Sequence, residues 1–145
     1  MKNLITLLIK SFGYALSGLR ICILEGANFR IHIFCTVLVF IAGLYFNISY
    51  TEWLIILICT GFVLCMEMIN TAIEQLCNVV HKEFHPGIKI TKDIAAGAVL
   101  LSAVIAAICG AIIFIPKIFL LIKSMNPSWD HFPHSAVYWE FFLFL

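Results

Sequence analysis

Charge is what this chain has least of. Only 12% of its 145 residues are Asp, Glu, Lys or Arg, about half the share usual in a globular domain, while 63% are hydrophobic and the mean hydropathy is +1.06. That scarcity excludes a soluble globular domain and leaves an integral membrane protein. A net charge of +1 also denies the chain the basic surface that a nucleic-acid partner requires. Paired cysteines are missing too. The six cysteines Cys22, Cys35, Cys59, Cys65, Cys77 and Cys109 stand singly in apolar segments, with no C-x-x-C and no spacing typical of zinc or of a secreted disulfide framework. They read as small buried hydrophobes. Internal repeats, low-complexity tracts and any signal of a second domain are absent as well.

What is there is a set of long apolar runs. A bilayer crossing takes about 20 apolar residues, and three runs qualify: Ile31 to Phe46, Trp53 through Met66 and on past Glu74, and Ile94 to Ile115. The joint Asn47 to Glu52 has no Lys or Arg, as expected of a non-cytoplasmic turn with Trp53 as its aromatic anchor. The joint His81 to Lys89 holds Pro-Gly and basic residues and should face the cytoplasm. Lys2, Lys10, Arg20 and Arg30 precede the first span and only Lys117 and Lys123 follow the third, which puts the N-terminus inside. Residues 1–28 lack a small-residue cleavage site and are interrupted by Lys10 and Arg20, so they are not read as a signal peptide. Leu4, Leu7, Leu8, Phe12, Ala15, Leu19 and Ile23 recur at helical spacing, the pattern of a helix lying in the membrane interface. The expected fold is an all-α membrane protein. It comprises an amphipathic interfacial helix (1–28), a three-span core (29–119), and a tail (120–145) carrying Trp129, Tyr138 and Trp139 to which the sequence assigns no role.

Within the second span the polarity is concentrated. At about 100° per residue, Glu67, Asn70, Thr71, Glu74 and Asn78 fall within an arc of about 100°. An ionised carboxylate in a spanning helix costs roughly 2.5–3.5 kcal/mol on insertion scales, and two close together also repel. A cation, a shared proton or a substrate must offset this. Lys92 and Asp93 open the third span at a similar depth, ahead of the small residues Ala95, Ala96, Gly97 and Ala98 that permit close helix packing. Taken alone, Asp93 fits a helix start favoured by the macrodipole and Lys92 a snorkelling anchor. His32 in the first span fits a hydrogen bond to a partner helix. A non-enzymatic cation or proton conduit is the rival reading, but between Leu54 and Cys65 only Thr60 and Gly61 break the apolar run. Polarity confined to one half argues for a site.

Glu67-x-x-Asn70-Thr71-Ala-Ile-Glu74, Glu83-Phe-His85-Pro and Lys92-Asp93-x-Ala-Ala-Gly-Ala-Val99 resemble the signature of the small prokaryotic membrane diacylglycerol kinase and undecaprenol kinase family. Gly13-Tyr14, Gly18-Leu-Arg20 and Asn28-Phe-Arg-Ile-His32 resemble it too, so the likeness covers roughly residues 10 to 115. It implies a homotrimer in the bacterial inner membrane that uses ATP and Mg²⁺ to phosphorylate a membrane lipid alcohol at the cytoplasmic face. By the same resemblance Glu67 is the catalytic base and Glu74 a metal ligand. Tyr14, Glu25, Glu74, Glu83, His85, Lys92 and Asp93 surround the nucleotide, with Asn70, Lys10 and Arg20 in support. The chain has neither a Walker G-x-x-x-x-G-K-[ST] loop nor a G-x-G-x-x-G loop, so side chains and the interfacial helix must hold the phosphates.

Two departures stand out. The family's second acidic metal ligand falls at Gly26, with Glu25 one residue earlier, and a local shift at the helix joint would let Glu25 serve. One turn beyond Glu74 the family commonly has Asp, whereas this chain has Asn78. Asn-Phe-Arg-Ile-His and His-Pro-x-x-Lys-Ile-x-Lys-Asp look closer to the undecaprenol branch than to the diacylglycerol branch.

Overall fold

The computed structural model describes residues 2–81 and 83–125, and its regular elements are all helices: α1 (Lys2–Glu25), α2 (Ala27–Tyr45), α3 (Tyr50–Val80) and α4 (Pro86–Met125). Each is long and apolar enough to cross a membrane, α1 included. The all-α membrane fold is as the sequence implies. At 1.5 Å per residue α3 is about 46 Å long and α4 about 60 Å, well beyond the ~30 Å hydrocarbon slab, so both carry segments that reach past it.

Several boundaries differ from expectation, the first joint included, where α1 ends at Glu25 and α2 starts at Ala27. The third span does not stop near Ile115. It continues through a buried Pro116 to Met125, because the run Ile118 to Ile122 stays apolar and a membrane helix tolerates the one backbone bond that proline removes. The boundary expected between 119 and 120 therefore lies inside α4, and the rest of the expected tail, residues 126–145, falls outside the described residues.

The turn expected over 47–52 is shorter than that, because Ser49 and Glu52 form a reciprocal capping box that starts α3 at Tyr50. The loop expected over 81–89 ends at His85, with Pro86 as the first helical residue, where its missing N–H costs nothing. Asp93 is consequently two turns inside α4, too deep for the macrodipole of a helix start to account for it.

α3 and α4 run antiparallel and are clamped at both ends by polar side chains. Lys117 pairs with Glu52 at 3.1 Å, and Lys92 donates to Asn78 Oδ1 at 2.8 Å. These clamps lie about 38 Å apart along either helix, close to the thickness of a bilayer with its headgroup regions. Near the Lys117 end Ile48, Ile56 and Ile113 form the core, with Phe40 and Trp53 edge to face at 5.3 Å. Trp53 is packed against Gly43, where an added Cβ would sit 2.7 Å from its ring, so the half-buried indole is joined to this core.

Elsewhere the packing is inverted relative to a soluble protein. Leu54, Leu57, Ile58, Phe62 and Ile69 of α3 are exposed, whereas Glu67 and Asn70 of the same helix are 3% and 4% exposed. The apolar faces are left for lipid or for other copies of the chain. Of the six free cysteines only Cys22 and Cys77 are buried, while Cys35 and Cys65 are exposed and Cys59 and Cys109 half-buried. Burial within the chain thus holds for two of them.

Candidate active site

The site grows from the polar stripe of α3. Glu67 and Asn70 are buried on α3, the helix against which α1, α2 and α4 all pack. Asn70 Nδ2 donates to Glu74 Oε1 at 3.1 Å, which fixes the Glu74 carboxylate one turn away, while Asn70 Oδ1 is buried with no hydrogen-bond partner. A buried acceptor left unmade is costly, on the order of 1–3 kcal/mol, and is the kind of atom a bound group would satisfy. Glu67 is within electrostatic reach of His32 on α2 and of Glu74, and Cys22 on α1 is within reach of Glu67 and Glu25. Three helices therefore converge on one buried carboxylate. Ser102 is buried on α4, its hydroxyl spent on its own backbone at Val99 O, 2.7 Å away.

α1 brings the second acidic group. Glu25 is its last residue, and its Oε2 accepts from Gln75 Nε2 at 3.5 Å, beside Glu74 in sequence. Gln75 had no signal in the sequence, because its role depends on where the end of α1 lands. Lys92 reaches the same stripe one turn beyond Glu74 through its bond to Asn78.

Other expected site residues are less closely joined. Asp93 is exposed on α4. Glu83 and His85 are exposed in the α3–α4 connection, where His85 Nδ1 accepts from Gly87 N at 3.2 Å and its ring meets His81 edge to face at 5.5 Å. Tyr14, Lys10 and Arg20 are exposed on α1 and make no hydrogen bond or ion pair with the α3 stripe among the described residues. Nor do three His, Cys, Asp or Glu side chains cluster there as a ready cation cage.

Beside this polar end lies an apolar hollow of about 420 Å³ between α2, α3 and α4. Its walls include Ile31, Val39, Ile56, Val63, Ala106 and Gly110. Thr36 and Thr60 in its lining give their hydroxyls to the backbone of their own helices at 2.8 and 2.7 Å, which leaves the wall effectively apolar. His32 also lines it, and Val63 lies one turn from Glu67, so the hollow and the buried carboxylate are neighbours.

The joint at Gly26 leaves no room for an acidic side chain. Gly26 is the single residue between α1 and α2, in extended conformation, with its N–H bonded to Cys22 O at 3.0 Å and its carbonyl accepting from Arg30 N at 3.2 Å. A Cβ there would lie 2.6 Å from Cys22 O and 3.1 Å from Phe29 Cβ, and Phe29 is 2% exposed. Placing Glu at 26 therefore requires this joint to open. Gly26→Glu and Gly26→Ala should both lower the thermal unfolding temperature in detergent, Gly26→Glu without a gain in metal affinity; a stable, tighter-binding Gly26→Glu protein would refute the tight joint.

The prokaryotic diacylglycerol kinase family matches residues 13–114. The chain is 37% identical over 117 residues to undecaprenol kinase of Bacillus subtilis (strain 168), covering 81% of this chain and 95% of that protein. It is 35% identical over 115 residues to diacylglycerol kinase of Synechocystis sp., covering 79% and 66%, and 26% identical over 108 residues to diacylglycerol kinase of Escherichia coli (strain K12), covering 74% and 88%. The matched region runs from the middle of α1 to the core end of α4 and contains the whole polar stripe. With its all-helical membrane fold and its buried carboxylate, this chain belongs to the prokaryotic diacylglycerol kinase family.

Proposed function

We propose that this chain transfers the terminal phosphoryl group of ATP to the hydroxyl of a membrane lipid alcohol, with a single-chain polyprenol such as undecaprenol as the favoured acceptor. That it is a lipid kinase follows from its family. The observation that carries the finer reading is the adjacency of a buried carboxylate, Glu67, to an apolar hollow with one polar end at His32. A hydrocarbon chain in the hollow would bring its hydroxyl to Glu67. Glu67 then removes the hydroxyl proton as the oxygen attacks the γ-phosphorus, the bond from that phosphorus to the bridging oxygen breaks, and ADP departs. From Leu54 to Cys65, toward the Lys117 end, α3 is apolar apart from Gly61 and a self-bonded Thr60, so the conduit reading gains no support.

The donor set suits Mg²⁺. Glu74 has one oxygen taken by Asn70 and one available, Glu25 stands beside Gln75, and the orphaned Asn70 Oδ1 is a further oxygen nearby. Oxygen donors with phosphate and water completing the shell are what this ion usually takes, so two carboxylates suffice. When bound, Mg²⁺ would neutralise phosphate charge. Glu25 and Glu74 would hold it, and Lys92, steadied by Asn78, would face the phosphates, with Asp93, Glu83, His85 and Tyr14 placed around the nucleotide. The Lys92 end then faces the cytoplasm in a bacterial inner membrane, with α1 in the interface. The exposed apolar faces of α1 to α4 are consistent with packing as a homotrimer.

The acceptor preference rests on the likeness itself, which is 37% identity across 95% of an undecaprenol kinase, against 35% across 66% and 26% across 88% of diacylglycerol kinases. At equal mole fraction in mixed micelles, undecaprenol should therefore be phosphorylated with a higher kcat/KM than diacylglycerol. The reverse order would overturn the acceptor assignment and leave the kinase chemistry standing.

A further inference from the structure

Three neutral amides on one stretch of α3 each hold one charged side chain of the site. Asn70 donates to Glu74 at 3.1 Å, Gln75 donates to Glu25 at 3.5 Å, and Asn78 accepts from Lys92 at 2.8 Å. None of these three charged groups is ion-paired among the described residues. The ion pair of Lys117 with Glu52 stands at the opposite end of the bundle. From this arrangement we infer that Asn78 is a positioning residue for Lys92, and that its being an amide keeps the full ammonium charge available to the polyphosphate. The inference rests on the reading of this end as the nucleotide site.

An amide oxygen and a carboxylate oxygen can both orient an ammonium at 2.8 Å, but they differ in what remains for a ligand. A carboxylate cancels the charge it orients, and an incoming phosphate must then compete with it. An amide dipole fixes the side chain in one geometry while the net charge persists. Lys92 is half-buried, with a four-carbon stem whose freedom would otherwise be lost on binding. Restraining it beforehand reduces the entropy lost when the anion arrives. An acid at 78 would also lie one turn from Glu74, adding a second negative charge beside the phosphates.

The test measures equilibrium binding of a non-hydrolysable ATP analogue with Mg²⁺, and KM and kcat for ATP, on the full chain in micelles. Asn78→Asp should weaken analogue binding and raise KM about three- to fivefold, the range an exposed ion pair supports, while kcat stays within about twofold. Asn78→Ala should raise KM less and keep the steep salt dependence that a free ammonium gives, whereas Asn78→Asp flattens it. In a Lys92→Met background the Asn78→Asp effect should fall below about twofold, because residues acting through one contact are not additive. Unchanged or tighter binding by Asn78→Asp, or an effect of equal size in the Lys92→Met background, overturns the inference. A wild-type protein that neither binds the analogue nor turns over ATP overturns the nucleotide-site reading itself, and this inference with it.

Discussion

Glu67→Gln is expected to lower kcat by at least about 10²-fold while the protein stays folded, since general-base catalysis is typically worth about 10²–10⁴-fold. The substitution preserves shape and removes the proposed proton acceptor. It separates a catalytic role from a structural one unusually well here, because Glu67 is 3% exposed and forms no ion pair among the described residues. A buried carboxylate of this kind costs stability, so its neutral isostere should unfold at the same temperature or a higher one. Loss of turnover together with a retained or raised unfolding temperature identifies a residue kept for chemistry. A Glu67→Gln enzyme with more than about a tenth of the wild-type rate would remove Glu67 from the base role.

Glu74→Gln should raise the Mg²⁺ concentration needed for half-maximal activity by an order of magnitude or abolish activity. Asn70 pre-orients the Glu74 carboxylate through one oxygen, and an amide in its place loses the charge that a hard divalent ion requires. If Glu25 completes the pair from the end of α1, Glu25→Ala should shift the Mg²⁺ titration in the same direction, and the double variant should lose little more than Glu74→Gln alone, because groups holding one ion do not contribute additively. A silent Glu25→Ala would leave Glu74 as the lone protein carboxylate. An unchanged metal dependence at full rate in Glu74→Gln would exclude Glu74 from the site.

The polar stripe was legible in the sequence because helical periodicity alone aligns Glu67, Asn70, Glu74 and Asn78, and hydrophobic runs of the right length marked the core of α2, α3 and α4. The capping box at Ser49 and Glu52 and the N1 role of Pro86 were also present as local signals, and reading them would have set both loop boundaries. The extension of α4 through Pro116 was not local, since it depends on a membrane environment that tolerates the lost bond. Tertiary meetings were illegible for a different reason. Gln75 reaches Glu25 across fifty residues, and Glu67 comes within electrostatic reach of His32 only because α2 packs along α3. The tightness at Gly26 likewise appears only when α1 and α2 share a single connecting residue, and it turns a missing acid into a steric consequence of that joint.

The most direct measurement supplies purified protein in mixed micelles with ATP labelled at the terminal phosphate, Mg²⁺ and undecaprenol, and follows label into the organic phase. Organic-phase label that requires both Mg²⁺ and Glu67, and that is lost in Glu67→Gln and sharply reduced in Glu74→Gln at low Mg²⁺, is the predicted result. No organic-phase label with undecaprenol or diacylglycerol, or equal label from the Glu67→Gln protein, would contradict phosphoryl transfer to a lipid alcohol at this site.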